Sequence, residues 1–125
     1  MDNVEQMCPI THYLEPINTK LDAAAIVGLS VLGRECTIEH KHLECGTATC
    51  LFHSINVLAD RIAATENASD MVDKPGQAIA GLAALGKHNA KEFNGLEITF
   101  AASLLYAIEN LAESFILESG AKEQL

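Results

Sequence analysis

From Asn18 onward the apolar positions recur at helical rather than strand spacing, and four segments carry that signal. The first runs from Thr19 to Leu32. Asn18 is a fitting cap, Asp22 sits early where the helix dipole favours an acid, and Leu21, Ala25, Leu29 and Leu32 share one face, with Gly33 as the stop. Its middle, Ala23 to Val27, is apolar nearly all round. A helix with no polar face to give to water belongs in a central or doubly covered position. Residues 34–46 are polar and ambiguous: Ile38, His40 and His42 alternate as in a strand, whereas Thr37 to Gly46 favours a short helical turn, which is the expectation.

A second helix is expected over 49–64, capped by Thr47 or Thr49, with Leu51, Ile55, Leu58 and Ile62 at alternating spacings of four and three. Residues 65–76, with Asn67, Ser69, Asp70, Asp73, Pro75 and Gly76, have the composition of a loop. Then comes a short helix of small residues, 77–85, stopped by Gly86, in which Gly76, Ala80, Gly81 and Ala84 should permit close packing. The last helix, 95–117, opens with a capping box made by Asn94 and Glu97. One stripe of it is Phe100, Leu104, Ile108, Leu111 and Phe115, flanked by Ala101, Leu105, Ala112 and Ile116. So wide an apolar face predicts a helix shared between a core and an interface, and hence a homodimer.

The fold class that follows is all-α: an irregular bundle of three long helices plus short helical segments, in one domain over 18–118. An extended N-terminal arm of residues 1–17, broken by Pro9 and Pro16, precedes it, and a short tail of 119–125 follows. Composition supports this outline. Of 125 residues 49% are hydrophobic but only 5% aromatic, so Leu, Ile, Val and Ala must build the core. The net charge of -9, with eight bases scattered from Lys20 to Lys122, disfavours nucleic acid and acidic membrane surfaces as partners. The longest uncharged apolar run, from Ala23 to about Gly33, falls short of the roughly 20 residues a bilayer requires. Met1 to Pro16 carries three acids and no base, unlike a secretory leader, and a cytoplasmic protein is expected.

Two clusters hold candidate chemistry. Cys36, His40, His42, Cys45, Cys50 and His53 offer the thiolates and imidazoles that tetrahedral zinc takes, and a zinc module would use Cys36, His40, Cys45 and either Cys50 or His53. Against it, no Cys-x2-Cys knuckle is present, and Cys50 and His53 fall among the apolar positions of a helix. The second cluster is acidic. Glu109 and Glu113 lie four apart near the carboxyl end of the last helix, with Glu118 behind them, where like charge and the helix dipole both oppose them. With Phe115 and Leu117 they form a strip suited to a protein partner. Other motifs fail on chemistry. Gly81 to His88 approaches a phosphate-binding loop but has His88 where a hydroxyl must bind magnesium, and Cys50 with His53 lacks an orienting third group. The expected function is therefore a non-enzymatic interaction or regulatory protein, an adaptor, inhibitor or accessory factor that needs no cofactor. The alternative is the zinc-binding module.

Overall fold

The computed structural model of the chain describes residues 18–39, 42–66 and 74–124, and the side chains of 18–37, 43–66 and 74–118. The expected arm of residues 1–17 lies outside the described residues. Among the described residues there are four helices and a two-residue strand pair: α1 (Thr19–Glu39), β1 (His42–Leu43), α2 (Cys45–Ala63), α3 (Pro75–Glu92), β2 (Leu96–Glu97) and α4 (Ile98–Gln124). This is the all-α bundle that the periodicity predicts. The strands pair antiparallel, His42 with Glu97 and Leu43 with Leu96, and tie the α1–α2 connection to the α3–α4 connection. Residues 42–43 are thus strand rather than the helical turn expected there.

Helix lengths depart from expectation wherever a glycine stands for a close contact instead of an end. Gly33 does not stop α1. A Cβ there would lie 2.7 Å from Leu51 Cδ2 and 2.8 Å from Leu105 Cδ1, so glycine lets α1 approach α2 and α4, and the helix continues to Glu39. Gly86 likewise sits against the Phe52 ring inside α3, which spans 18 residues rather than the short 77–85 segment. Within it the buried positions are Gly76, Ile79, Ala83, Gly86 and Ala90. Gly81 and Ala84, expected to mediate close packing, are exposed. Gly81 to His88 is therefore mid-helix, where its amides are committed to helical bonds.

The helix ends follow recognisable chemistry. Asn18 caps α1 as expected, its Oδ1 accepting the Leu21 N–H at 3.1 Å. α2 starts at Cys45, ahead of the expected Thr47 or Thr49, and Thr47 Oγ1 bonds instead to Glu44 Oε1 at 3.5 Å. Glu66 caps α3 from outside its own segment by accepting the Gly76 N–H at 2.6 Å. Asn94 is no N-cap. With φ of 56° it is the left-handed residue that ends α3, and the Gly95 N–H reaches back to the Ala90 carbonyl at 2.8 Å. The cap of α4 is Glu97, whose Oε1 accepts the Phe100 N–H at 3.0 Å. α4 then runs through Gln124, past the expected end at 117.

Every neighbouring pair of helices is antiparallel. Asp22 at the start of α1 meets Arg61 at the end of α2, Phe52 meets Gly86, and Arg34 meets Glu109. An up-down-up-down bundle results, with α2 against α3 and α1 against α4 as its two tightest pairs. Buried positions recur at alternating three and four: Ala23, Ile26, Ser30, Gly33 and Thr37 in α1, and Ala48, Phe52, Ile55, Ala59 and Ile62 in α2. That spacing is the signature of helices packing at a shallow crossing angle. The core closes on Ala101, Leu104, Leu105, Ile108 and Ala112 of α4.

Candidate interaction surface

α1 buries the opposite of what its leucines promise. Leu21 and Leu32, placed by periodicity on the core face, are 65% and 63% exposed, and Ala25 is exposed with them. The core face carries instead the polar Asp22, Ser30 and Thr37 alongside Ala23 and Ile26. Each of these polar groups is satisfied. Arg61 Nε donates to Asp22 Oδ2 at 2.9 Å, Ser30 Oγ donates to the Ile26 carbonyl at 2.8 Å, and Thr37 Oγ1 donates to the Arg34 carbonyl at 2.7 Å. What faces out between Leu21 and Leu32 is Leu21, Ala24, Ala25, Gly28 and Leu32, flanked by the half-buried Val27, Leu29 and Val31. Over about three turns that outer surface has no polar side chain, and a Cβ on Gly28 would meet nothing within 4 Å.

The acidic strip expected on the last helix comes apart. Glu109 is mostly buried and holds the guanidinium of Arg34 on α1, 75 positions away, so its charge is spent inside the bundle. Arg34 also lies over the Tyr106 ring, 5.8 Å from its centre. Glu113, Leu117 and Glu118 are exposed, Leu117 at 73%. They do not form one row: helical geometry turns Glu118 about 140° away from Glu113. Glu118 borders a small hollow with Phe115, Leu111 and Pro75, and Phe115 is half-buried there. The apolar stripes of α4 are for the most part absorbed by the core, with Leu104, Leu105, Ile108 and Ala112 buried and Phe100 left at the edge.

Above Arg34 a groove of about 510 Å³ opens between α1 and α4, lined by Arg34, Thr37, Ile98, Thr99, Ala102, Ser103 and Tyr106. Sequence patterning missed Arg34. The one available signal was the pair of acids on α4, which needed a base from elsewhere in the chain.

The expected zinc ligands are spread over two helices. Cys36 is exposed on α1, while Cys45 and Cys50 lie on α2 with free thiols, and Cys45 Sγ is 3.9 Å from Thr49 Oγ1. His53 Nδ1 lies 3.2 Å from Lys87 Nζ. His40 lies outside the described residues. Among the described residues no group of three or more His, Cys, Asp or Glu is placed to hold a metal.

By length and composition, Ile98–Glu118 is apolar enough to cross a membrane, so a run longer than the one from Ala23 to Gly33 exists once Glu109, Glu113 and Glu118 are admitted. In the bundle that segment contributes the buried Ala101, Leu104, Leu105, Ile108 and Ala112. Comparison with protein-family models, characterised proteins and solved structures finds no match to this chain.

Proposed function

We propose that the chain is a non-enzymatic interaction protein that buries the outer face of α1 against a partner helix. The observation that carries this reading is the inversion of α1, with Asp22 and Ser30 inside and Leu21, Ala24, Ala25, Gly28 and Leu32 outside. The outer face of α1 is apolar over about three turns, and the bundle covers only the opposite face, toward α2 and α4. The partner we infer is a second copy. Antiparallel pairing about a twofold axis between Ile26 and Val27 sets Leu21 opposite Leu32 and Ala25 opposite Gly28, so bulk meets bulk at the ends and small meets small at the crossing. Two chains of charge -9 repel one another. The uncharged face of α1 is where their approach is least opposed.

This moves the interface from α4, where its wide apolar face first suggested a dimer, to α1. The reading calls for no cofactor. It places the protein in the cytoplasm, a reducing setting that suits the free thiols of Cys36, Cys45 and Cys50. Sedimentation velocity up to about 100 µM tests it, a range in which even a weak dimer with Kd in the micromolar range would register. Expected is a dimer that Leu21→Glu or Leu32→Glu converts to monomer with unchanged helical circular dichroism. A wild-type monomer throughout, with no cross-link to any protein from a photoreactive group at position 25 or 28 in cells, would overturn it.

A further inference from the structure

At the end of the bundle away from Asp22 and Arg61, the α3–α4 connection holds two aromatic residues outside the core, Phe93 at the end of α3 and Phe100 at the start of α4. The Asn94–Gly95 turn, with φ of 56° and 126°, swings the chain away from the helix axis and leaves Phe93 70% exposed. Phe100, in the first turn of α4, is 37% exposed. Both border a hollow of about 310 Å³, whose lining is completed by Asn89, Gly95, Leu96 and Glu97.

Glu97 is the one charged side chain among the residues that line the hollow, and Lys91 in the last turn of α3 is not among them. Glu97 is fixed in place as the cap of α4, and the N–H groups of Thr99 and then Phe100 hold its carboxyl below the ordinary carboxylate range, so it stays ionised. The 18-residue helix α3 directs its carboxyl-terminal, negative end to the same place. No Lys or Arg is among the lining residues. Bare metal ions and primary ammonium groups are strongly hydrated and gain little from apolar walls. A cation sheathed in alkyl groups gains from an aromatic lining and from the fixed carboxylate.

We propose that the hollow binds an alkylammonium group, a quaternary or methylated nitrogen, with Phe93 and Phe100 as its walls and Glu97 as its counter-charge. Such a group reaches the site either free, as in choline, or on the side chain of a methylated lysine in another protein. The site is separate from the α1 face, and neither proposal depends on the other.

Titration of the intact protein with tetramethylammonium, choline and a trimethyl-lysine peptide, followed by the ring resonances of Phe93 and Phe100, tests this at constant ionic strength. The neutral carbon isostere 3,3-dimethylbutanol is the control. Saturable shifts from the cations, with the isostere weaker by about tenfold, are expected. Phe93→Leu keeps an apolar wall without a π face and should weaken choline by about three- to tenfold. Glu97→Gln retains the capping oxygen and removes only the charge, so it should weaken the cations and leave the isostere unchanged. Equal binding of choline and peptide assigns the site to free ammonium compounds, and a peptide about tenfold tighter assigns it to a modified protein. Equal binding of cation and isostere, or no saturation by roughly 50 mM of any cation, overturns the proposal.

Discussion

The two tight helix pairs of this bundle solve the same packing problem in opposite ways. Between α2 and α3 the seam is apolar and small, with Ala48, Ala59, Ala83 and Gly86 bringing the axes together around Phe52. The outward side of α2 is largely polar, as Thr47, His53, Ser54 and Asp60 show. Between α1 and its neighbours the seam carries the charges, Asp22 with Arg61 and Arg34 with Glu109, while the outward side is leucine, alanine and glycine. The α2–α3 pair exposes Val57 and Leu85 singly, whereas α1 exposes Leu21 and Leu32 together on one uncharged face.

Substitutions at glycine separate the two regimes most sharply. Gly76→Ala in α3 brings a Cβ to 2.5 Å from the Ala63 backbone nitrogen, which cannot yield, and should cost about 3 kcal/mol in urea denaturation. Gly28→Ala on the open face of α1 should do the reverse, adding about 0.5 to 1 kcal/mol to the fold through helix propensity while weakening self-association. Next in size is the charged seam. Arg34→Ala leaves Glu109 mostly buried without its partner and should lower stability by about 2 kcal/mol. Arg34→Lys restores charge but neither the planar fork nor the stacking on Tyr106, and recovery in the same assay should be partial.

Smaller still is the effect of charging the outer face: Leu32→Glu should leave denaturation midpoints within about 0.5 kcal/mol of the parent while abolishing the proposed self-association. Val57→Glu on α2, also exposed, should alter neither. The smallest effect is a pH dependence. Glu97 has a folded-state pKa below its unfolded value, so its contribution is fully present above the unfolded pKa and disappears as pH falls through the lowered one. Glu97→Gln should therefore flatten only the acid limb of a stability profile below about pH 4.5. An unchanged acid limb would remove Glu97 as the source.

The sequence was most legible where helices are amphipathic. Ile55 and Ile62 in α2, and Leu104, Leu105, Ile108 and Ala112 in α4, are buried as their spacing requires. It misled in α1, because a helix apolar all round offers no contrast for a period of 3.6 to detect. There the leucines marked the outer face, and Asp22 and Ser30 marked the core. Helix ends were misjudged where glycine had two meanings: Gly33 and Gly86 are contacts, and only the Asn94–Gly95 turn is a stop. The acids on α4 drew attention correctly as an anomaly, but the resolution lay with Arg34, a partner that no local pattern names. Phe93 and Phe100 went unmarked as a pair because only the turn between them makes them share a hollow.

The bond between Glu66 and the Gly76 N–H has one more consequence. It fastens the end of α2 to the start of α3 independently of the covalent span 67–73. The antiparallel order of the bundle also brings the start of α1 and the later turns of α4 to that same end. A gene rearranged to begin at α3, run through α4, and pass by a flexible linker into α1 and α2 should produce the same bundle, with its amino terminus where Glu66 still receives Gly76.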